Sequence, residues 1–204
     1  MYKNICVTNR HLVEGDFLKQ LAKVAEGGCD AIILREKDLS EAEYEKLAEQ
    51  ALKVCEIHGT KCILHTYIEA AIRQKAEAIH LSFPVWEKIN EIQKQKFSQI
   101  GVSIHSVEEA VAAAEQGADY LTAGHIFATD CKMGVPPRGL AFLRSVCVAA
   151  TLSVYAIGGI SAGNFAAVRR CGAAGACVMS GAMTCEDPAE YLNAFETGEG
   201  ADDL

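Results

Sequence analysis

Gly117-Ala118-Asp119-Tyr120-Leu121-Thr122-Ala123-Gly124-His125 runs a helix end, a buried strand and a turn together. Gly117 closes the helix that a capping box at Ser106 and Glu109 opens. The run Asp119–Ala123 is short and apolar, and Gly124 lets the backbone turn. The same helix-end-to-strand pattern recurs at Gly28-Cys29-Asp30-Ala31-Ile32, at Lys75-Ala76-Glu77-Ala78-Ile79 and at Gly172-Ala173-Ala174-Gly175-Ala176. These are the even-numbered members of eight β-rich runs: Asn4–Thr8, Asp30–Arg35, Lys61–His65, Ala78–Ser82, Gln99–Ile104, Asp119–Ala123, Ser153–Ile157 and Gly175–Ser180. Strands alternating with amphipathic helices predict the α/β class, and eight of them predict a single closed (β/α)8 TIM barrel. A doubly wound open sheet is the alternative. At 204 residues the chain is short for a barrel, so its loops must be short.

The intervening segments carry helix signals. Ser40 with Glu43 is a second capping box, ahead of Tyr44, Leu47, Ala48, Ala51 and Cys55, and Gly59 closes that helix. Asp187-Pro188 with Glu190 starts another. Pro84–Lys96 is a weaker helix with Trp86, Ile89 and Ile92 on its apolar side. No linker or low-complexity tract divides the chain, so residues 1–204 read as one domain, with a disordered acidic tail at 197–204.

Half of the residues are hydrophobic and 23% are charged, a globular composition. The formal net charge of −8 disfavours nucleic acid and anionic membrane as partners, so an anionic ligand needs a local cationic pocket. No apolar run reaches the length of a membrane span. Met1-Tyr2-Lys3-Asn4-Ile5 enters a strand directly, without a signal-peptide pattern, and the expected location is cytoplasmic. The nine cysteines are odd in number, include no Cys-x-x-Cys, and sit mostly in apolar runs, as Cys6, Cys29, Cys62 and Cys177 do. They read as small core residues in a reducing compartment rather than as disulfides or a zinc cage. Cys131 differs by its place beside His125, but no sequence feature marks it as a nucleophile.

A barrel binds ligands at the C-terminal ends of its strands. There the second run presents Arg35, Glu36 and Lys37, and the third His65 and Thr66. The fifth presents Ser103 and His105, the seventh Gly158 and Gly159, and the eighth Met179, Ser180 and Gly181. The sixth presents the loop Gly124-His125-Ile126-Phe127-Ala128-Thr129-Asp130-Cys131-Lys132. Histidine can take and return a proton near neutral pH. Glycine turns that open helices on adjacent strands suit a phosphate, although packing can demand the same glycines. Arg35 and Lys37, joined by Lys132, can clamp an anion, and the same residues also fit a solvated charge cluster. Arg138 is placed to close the sixth loop over the site, while His11, His58, His80 and His105 have weaker claims.

Leu34-Arg35-Glu36-Lys37, Ile100-Gly101-Val102-Ser103, Gly117-Ala118-Asp119-Tyr120, the His125 loop, Ala156-Ile157-Gly158-Gly159-Ile160 and Val178-Met179-Ser180 stand in an order that resembles the thiamine phosphate synthase and TenI superfamily over nearly the whole chain. The resemblance implies a barrel that binds a thiazole phosphate. Departures point to a branch. The synthase joins a pyrimidine diphosphate to thiazole phosphate with magnesium, and has Asn-Asp where this chain has His65-Thr66 and an aspartate near Ser82-Phe83-Pro84. It carries glutamine at the position of Ile33, and usually proline at that of His125. Gly-His-x-Phe-x-Thr-Asp-Cys-Lys is instead similar to TenI-type thiazole tautomerases.

That likeness implies conversion of an exocyclic-ylidene carboxythiazole phosphate to its aromatic tautomer, with no metal and no redox cofactor. It implies His125 as the acid/base, Gly158, Gly159, Met179 and Ser180 around the phosphate, and Arg35 with Lys37 or Lys132 on the carboxylate. His65, Thr66, Ser103 and Thr129 complete the expected substrate contacts. Thiamine phosphate synthase activity, or binding of a thiazole or thiamine phosphate without turnover, are the alternatives. A homodimer is left open.

Overall fold

Strands covered on both faces need apolar residues at almost every position, and the eight runs supply them. In the computed structural model, which describes residues 4–197, they close into one barrel. The strands are β1 (Asn4–Val7), β2 (Ala31–Leu34), β3 (Lys61–His65), β4 (Ala78–Ser82), β5 (Gln99–Ile104), β6 (Tyr120–Gly124), β7 (Ser153–Ile157) and β8 (Gly175–Val178). Each pairs in parallel with the next, and β8 returns to β1. The helices are α1 (Phe17–Glu26), α2 (Glu41–Ile57), α3 (Ile68–Arg73), α4 (Phe83–Trp86), α5 (Glu91–Lys94), α6 (Val107–Glu115), α7 (Gly139–Ala149), α8 (Ala162–Arg170), α9 (Ser180–Thr184) and α10 (Pro188–Thr197). The expected (β/α)8 fold is the fold observed, and the open-sheet alternative falls with closure. Among the described residues no helix is long and apolar enough to cross a membrane. Beyond Thr197, the tail expected to be disordered lies outside the described residues.

Side chains alternate across each strand, which divides the apolar residues into two groups. Cys6, Ile32, Leu64, Ile79, Leu121 and Ala156 join the layer between sheet and helices. Ile5, Val7, Ile33, Ile63, Ala78, Tyr120, Tyr155 and Cys177 fill the barrel interior. Carried two residues further toward the mouth, the inner positions of four strands become polar: Ile33 leads to Arg35, Ile63 to His65, Ala78 to His80 and Tyr120 to Thr122.

Two local expectations are corrected. Gly124 is not a turn but the last residue of β6, paired with Ile157. A Cβ there would stand 2.4 Å from the Ile157 Cγ2, so glycine serves close strand approach. The Pro84–Lys96 segment is not one helix. Asn90, in extended backbone, caps α5 with Gln93 in a box and separates it from α4. Trp86 and Ile89 are buried, but Ile92 is 72% exposed.

Two other helix starts keep their expected chemistry, and the expected box at Ser106 and Glu109 forms only in half. Ser40 and Glu43 form the complete reciprocal box. The Ser106 hydroxyl caps α6, but the Glu109 carboxylate accepts from the His105 N–H at 2.6 Å. Asp187 accepts from the Glu190 N–H at the head of α10.

Candidate active site

A cavity of about 430 Å³ opens at the C-terminal end of the barrel. Arg35, Lys37, His65, Ser103, His125, Thr129, Lys132, Gly158, Gly159, Met179 and Ser180 all line it. Thr66 is absent from its wall. Its φ of 68° puts it in the left-handed region, and its hydroxyl meets the His65 Nδ1 at 2.6 Å. Asn9, His80, Ser82, Thr122 and Tyr191 also line the cavity; in sequence His80 has only a weaker claim and the others no site role. For His80, Ser82 and Thr122 the signal was their inward parity on β4 and β6. Tyr191 comes from α10, and no local pattern links it to the mouth.

One wall is cationic. Arg35, Lys37 and Lys132 have no ion-pair partner among the described residues. The Lys37 ammonium is held below its usual range by burial first, then by Arg35 and Lys132. Glu36 lies between the two cations in sequence but faces the other way. Its buried carboxylate accepts from the Thr8 hydroxyl at 2.6 Å, from the Arg10 N–H at 3.1 Å and from the Arg10 guanidinium at 3.1 Å. Among the described residues no aspartate or glutamate lines the cavity. The pocket is therefore a local positive field in a chain of net charge −8.

The ends of β3 to β6 form a polar floor. The His80 Nδ1 meets the Tyr120 hydroxyl at 3.0 Å and its Nε2 meets the Ser103 Oγ at 2.8 Å. The His65 and His80 rings stack 5.8 Å apart. Desolvation, reinforced by Lys37, pushes His80 down to about 3. His65 is lowered by burial first and then by His80, Lys37 and Arg35. Both imidazoles are neutral at physiological pH. The buried Tyr44 hydroxyl donates to the Leu34 carbonyl at 2.7 Å and accepts from the His65 N–H at 2.8 Å, tying the ends of β2 and β3.

The sixth loop is seated on the seventh strand end. Ile126 N–H donates to the Ile157 carbonyl at 2.9 Å, and Phe127 N–H to the Gly158 carbonyl at 3.0 Å. Gly158 and Gly159 have φ of 96° and 64°. A Cβ on Gly159 would stand 2.4 Å from the Ala128 carbonyl oxygen. These glycines thus line the cavity and also make room for the loop, so both readings of the glycine turn have a physical basis.

His125 is nearly buried, and its Nε2 stands 3.2 Å from the Val135 carbonyl. A carbonyl only accepts, so that contact keeps the proton on Nε2 and leaves the lone pair on Nδ1. The Arg138 N–H closes the loop on the His125 carbonyl at 3.0 Å. The Arg138 guanidinium, however, lies over the Phe142 ring, 5.3 Å from its centroid, and does not cover the cavity. A single 3₁₀ turn, Asp130–Lys132, carries the exposed Cys131 and Lys132 along the mouth.

A magnesium–diphosphate centre needs hard oxygen ligands, chiefly carboxylates. The cavity wall offers imidazoles, hydroxyls and cations instead, and the ends of β3 and β4 present His65 and Ser82. These residues do not fit that group.

Comparison with known proteins places the geometry in context. The family model described as thiamine monophosphate synthase matches residues 4–182. A protein of Desulfitobacterium hafniense named thiamine-phosphate synthase is 33% identical over 192 residues, covering 92% of this chain and 92% of its own. A protein of the same name from Caldivirga maquilingensis is 34% identical over 172 residues, 83% of each chain. Among solved structures, thiamine phosphate pyrophosphorylase from Pyrococcus furiosus aligns with a TM-score of 0.81 at 26% identity, over 97% of this chain and 95% of that one. A 3-hexulose-6-phosphate synthase aligns with a TM-score of 0.74 at 16% identity, covering 97% of this chain and 99% of that one, a likeness of fold alone.

Proposed function

Because this chain belongs to the thiamine monophosphate synthase (TMP-TENI) family, we propose that it is an enzyme of thiazole phosphate chemistry, and that its reaction is tautomerisation of an exocyclic-ylidene carboxythiazole phosphate to the aromatic carboxythiazole phosphate. The observation that carries the reading is His125, just past the end of β6, in a cavity lined by three cations and, among the described residues, no carboxylate.

The reaction moves one proton and no net electrons. A ring C–H bond breaks, its electron pair enters the ring, the exocyclic double bond becomes single, and a C–H bond forms at the exocyclic carbon. One imidazole can serve both transfers. With Nε2 held by the Val135 carbonyl, Nδ1 of His125 takes the ring proton and returns it, a contribution of about 10²–10⁴-fold. Arg35, Lys37 and Lys132 hold the substrate carboxylate, and the wall around Gly158, Gly159, Met179 and Ser180 takes the phosphate. Every group the step needs belongs to the chain.

The second reading is the coupling of a pyrimidine diphosphate to thiazole phosphate. Its support is that the relatives are named thiamine-phosphate synthase; the donor chemistry of the cavity wall opposes it. The two separate in one experiment. Purified protein is mixed with the unaromatised thiazole phosphate, with and without EDTA, and separately with both half-substrates and magnesium. Aromatisation followed by NMR, unaffected by the chelator, supports tautomerisation. Magnesium-dependent pyrophosphate release without aromatisation overturns it. Binding of the unaromatised substrate with neither reaction would make the chain a binding protein.

A further inference from the structure

His80 sits inside the barrel with both ring nitrogens engaged. Its Nδ1 lies 3.0 Å from the Tyr120 hydroxyl, and its Nε2 2.8 Å from the Ser103 Oγ. The Thr122 hydroxyl lies 3.0 Å from the same Ser103 Oγ and 3.3 Å from Nε2. A neutral imidazole has one N–H and one lone pair, so with Ser103, the nearer hydroxyl at 2.8 Å, as the Nε2 partner, two proton arrangements satisfy these distances. In the first, Ser103 donates to Nε2, Nδ1–H donates to Tyr120, and the serine turns lone pairs toward the cavity. In the second, Tyr120 donates to Nδ1, while Nε2–H and Thr122 both donate to Ser103. The serine oxygen then has both lone pairs used, and its own O–H is directed to the cavity it lines.

Two considerations select the second. A phenol is a stronger acid than an aliphatic alcohol, so the better O–H···N bond to the imidazole lone pair comes from Tyr120. Arg35, Lys37 and Lys132 also draw electron-rich groups into the cavity. A serine donor complements such a ligand, whereas serine lone pairs would repel it.

We propose that His80, in its Nε2–H tautomer, is a positioning residue that makes Ser103 a hydrogen-bond donor toward an acceptor atom of the bound heterocycle. The identity of that heterocycle rests on the function proposed above; the tautomer does not.

The first test uses the unmodified chain. In protein labelled with 15N-histidine, two-bond proton–nitrogen correlations, assigned by comparison with His80→Gln, show which His80 nitrogen bears the proton. A proton on Nε2, in the free protein and with the aromatic carboxythiazole phosphate, supports the proposal. A proton on Nδ1 in either state overturns it, whatever reaction the protein catalyses.

The second test is a double-mutant cycle on dissociation constants for the same phosphate, which requires binding but not turnover. Ser103→Ala weakens binding about 10-fold, and His80→Leu does the same alone but adds nothing in the Ser103→Ala background. His80→Gln, which keeps an N–H on that side of the cavity, recovers part of the loss. Additive losses would mean that His80 acts through packing rather than through Ser103, and would overturn the proposal.

Discussion

A Cβ on Gly158 would stand 2.3 Å from the Cβ of His125. The glycine turn after β7 and the histidine of the sixth loop therefore share one volume, and the turn can keep it open only because residue 158 has no side chain. Its φ of 96° adds a second demand for glycine. Gly158→Ala is expected to displace the loop and lower kcat about 100-fold, with a stability loss of about 1–3 kcal/mol. Kinetics at saturating substrate, together with denaturant melts, check both parts. Wild-type kcat in a folded variant would mean that the loop position is irrelevant to the chemistry.

His125→Asn preserves much of the side chain's volume and hydrogen bonding but removes the base. The expected outcome is a fall in kcat of about 10²–10⁴-fold with the dissociation constant for the aromatic phosphate little changed. An unchanged rate of aromatisation removes His125 from the reaction.

Lys37 stands beside two other cations, and burial first, then their charge, lowers the pH at which it gives up its proton. An anionic ligand opposes that shift, so binding is tightest with Lys37 protonated and weakens as pH rises through its lowered free-state range. Lys132→Met removes one repulsion. It should weaken binding at neutral pH about 10-fold and move the alkaline limb to higher pH. A limb that stays in place would show that Lys37 and Lys132 do not share the anion.

His80 titrates at about 3 in the folded protein and near 6.5 when unfolded. Below pH 6.5 the unfolded chain binds the extra proton, so stability is full above that value and falls as pH drops toward 3. The slope is about 1.4 kcal/mol per pH unit, or about 2 kcal/mol between pH 6.5 and 5. His65 acts in the same direction. Denaturant melts at pH 7 and pH 5 should show this loss, and His80→Gln should reduce it. Equal pH dependence in the two proteins would refute a buried neutral His80.

Tyr44 joins the ends of β2 and β3 through its hydroxyl. Tyr44→Phe leaves the Leu34 carbonyl and the His65 N–H without that partner, at an expected cost of about 1–3 kcal/mol. Substrate affinity should fall with it, because Arg35 and His65 follow directly on these strand ends. A neutral substitution would show that the two strand ends hold their places unaided.

Much of this molecule is written locally. Apolar runs, capping residues and closing glycines specify strands and helices through contacts a few residues apart, which is why Ser40, Ser106 and Asp187 mark real helix starts. Period-two alternation also carries His65, and Arg35 one residue past β2, to the inner face of the mouth, since parity follows from strand geometry alone. What sequence reading misjudged depends on neighbours far along the chain. Gly124 looked like a turn, but its role is set by Ile157 across the sheet. His80 looked incidental until Tyr120, Ser103 and Thr122 came to surround it. Glu36 lies among cations in sequence, yet Thr8 and Arg10 draw it out of the cavity. Local chemistry determined the elements and their inward faces; closure of the barrel decided which polar groups meet, because hydrogen-bond partners and shared volume are properties of distance in space.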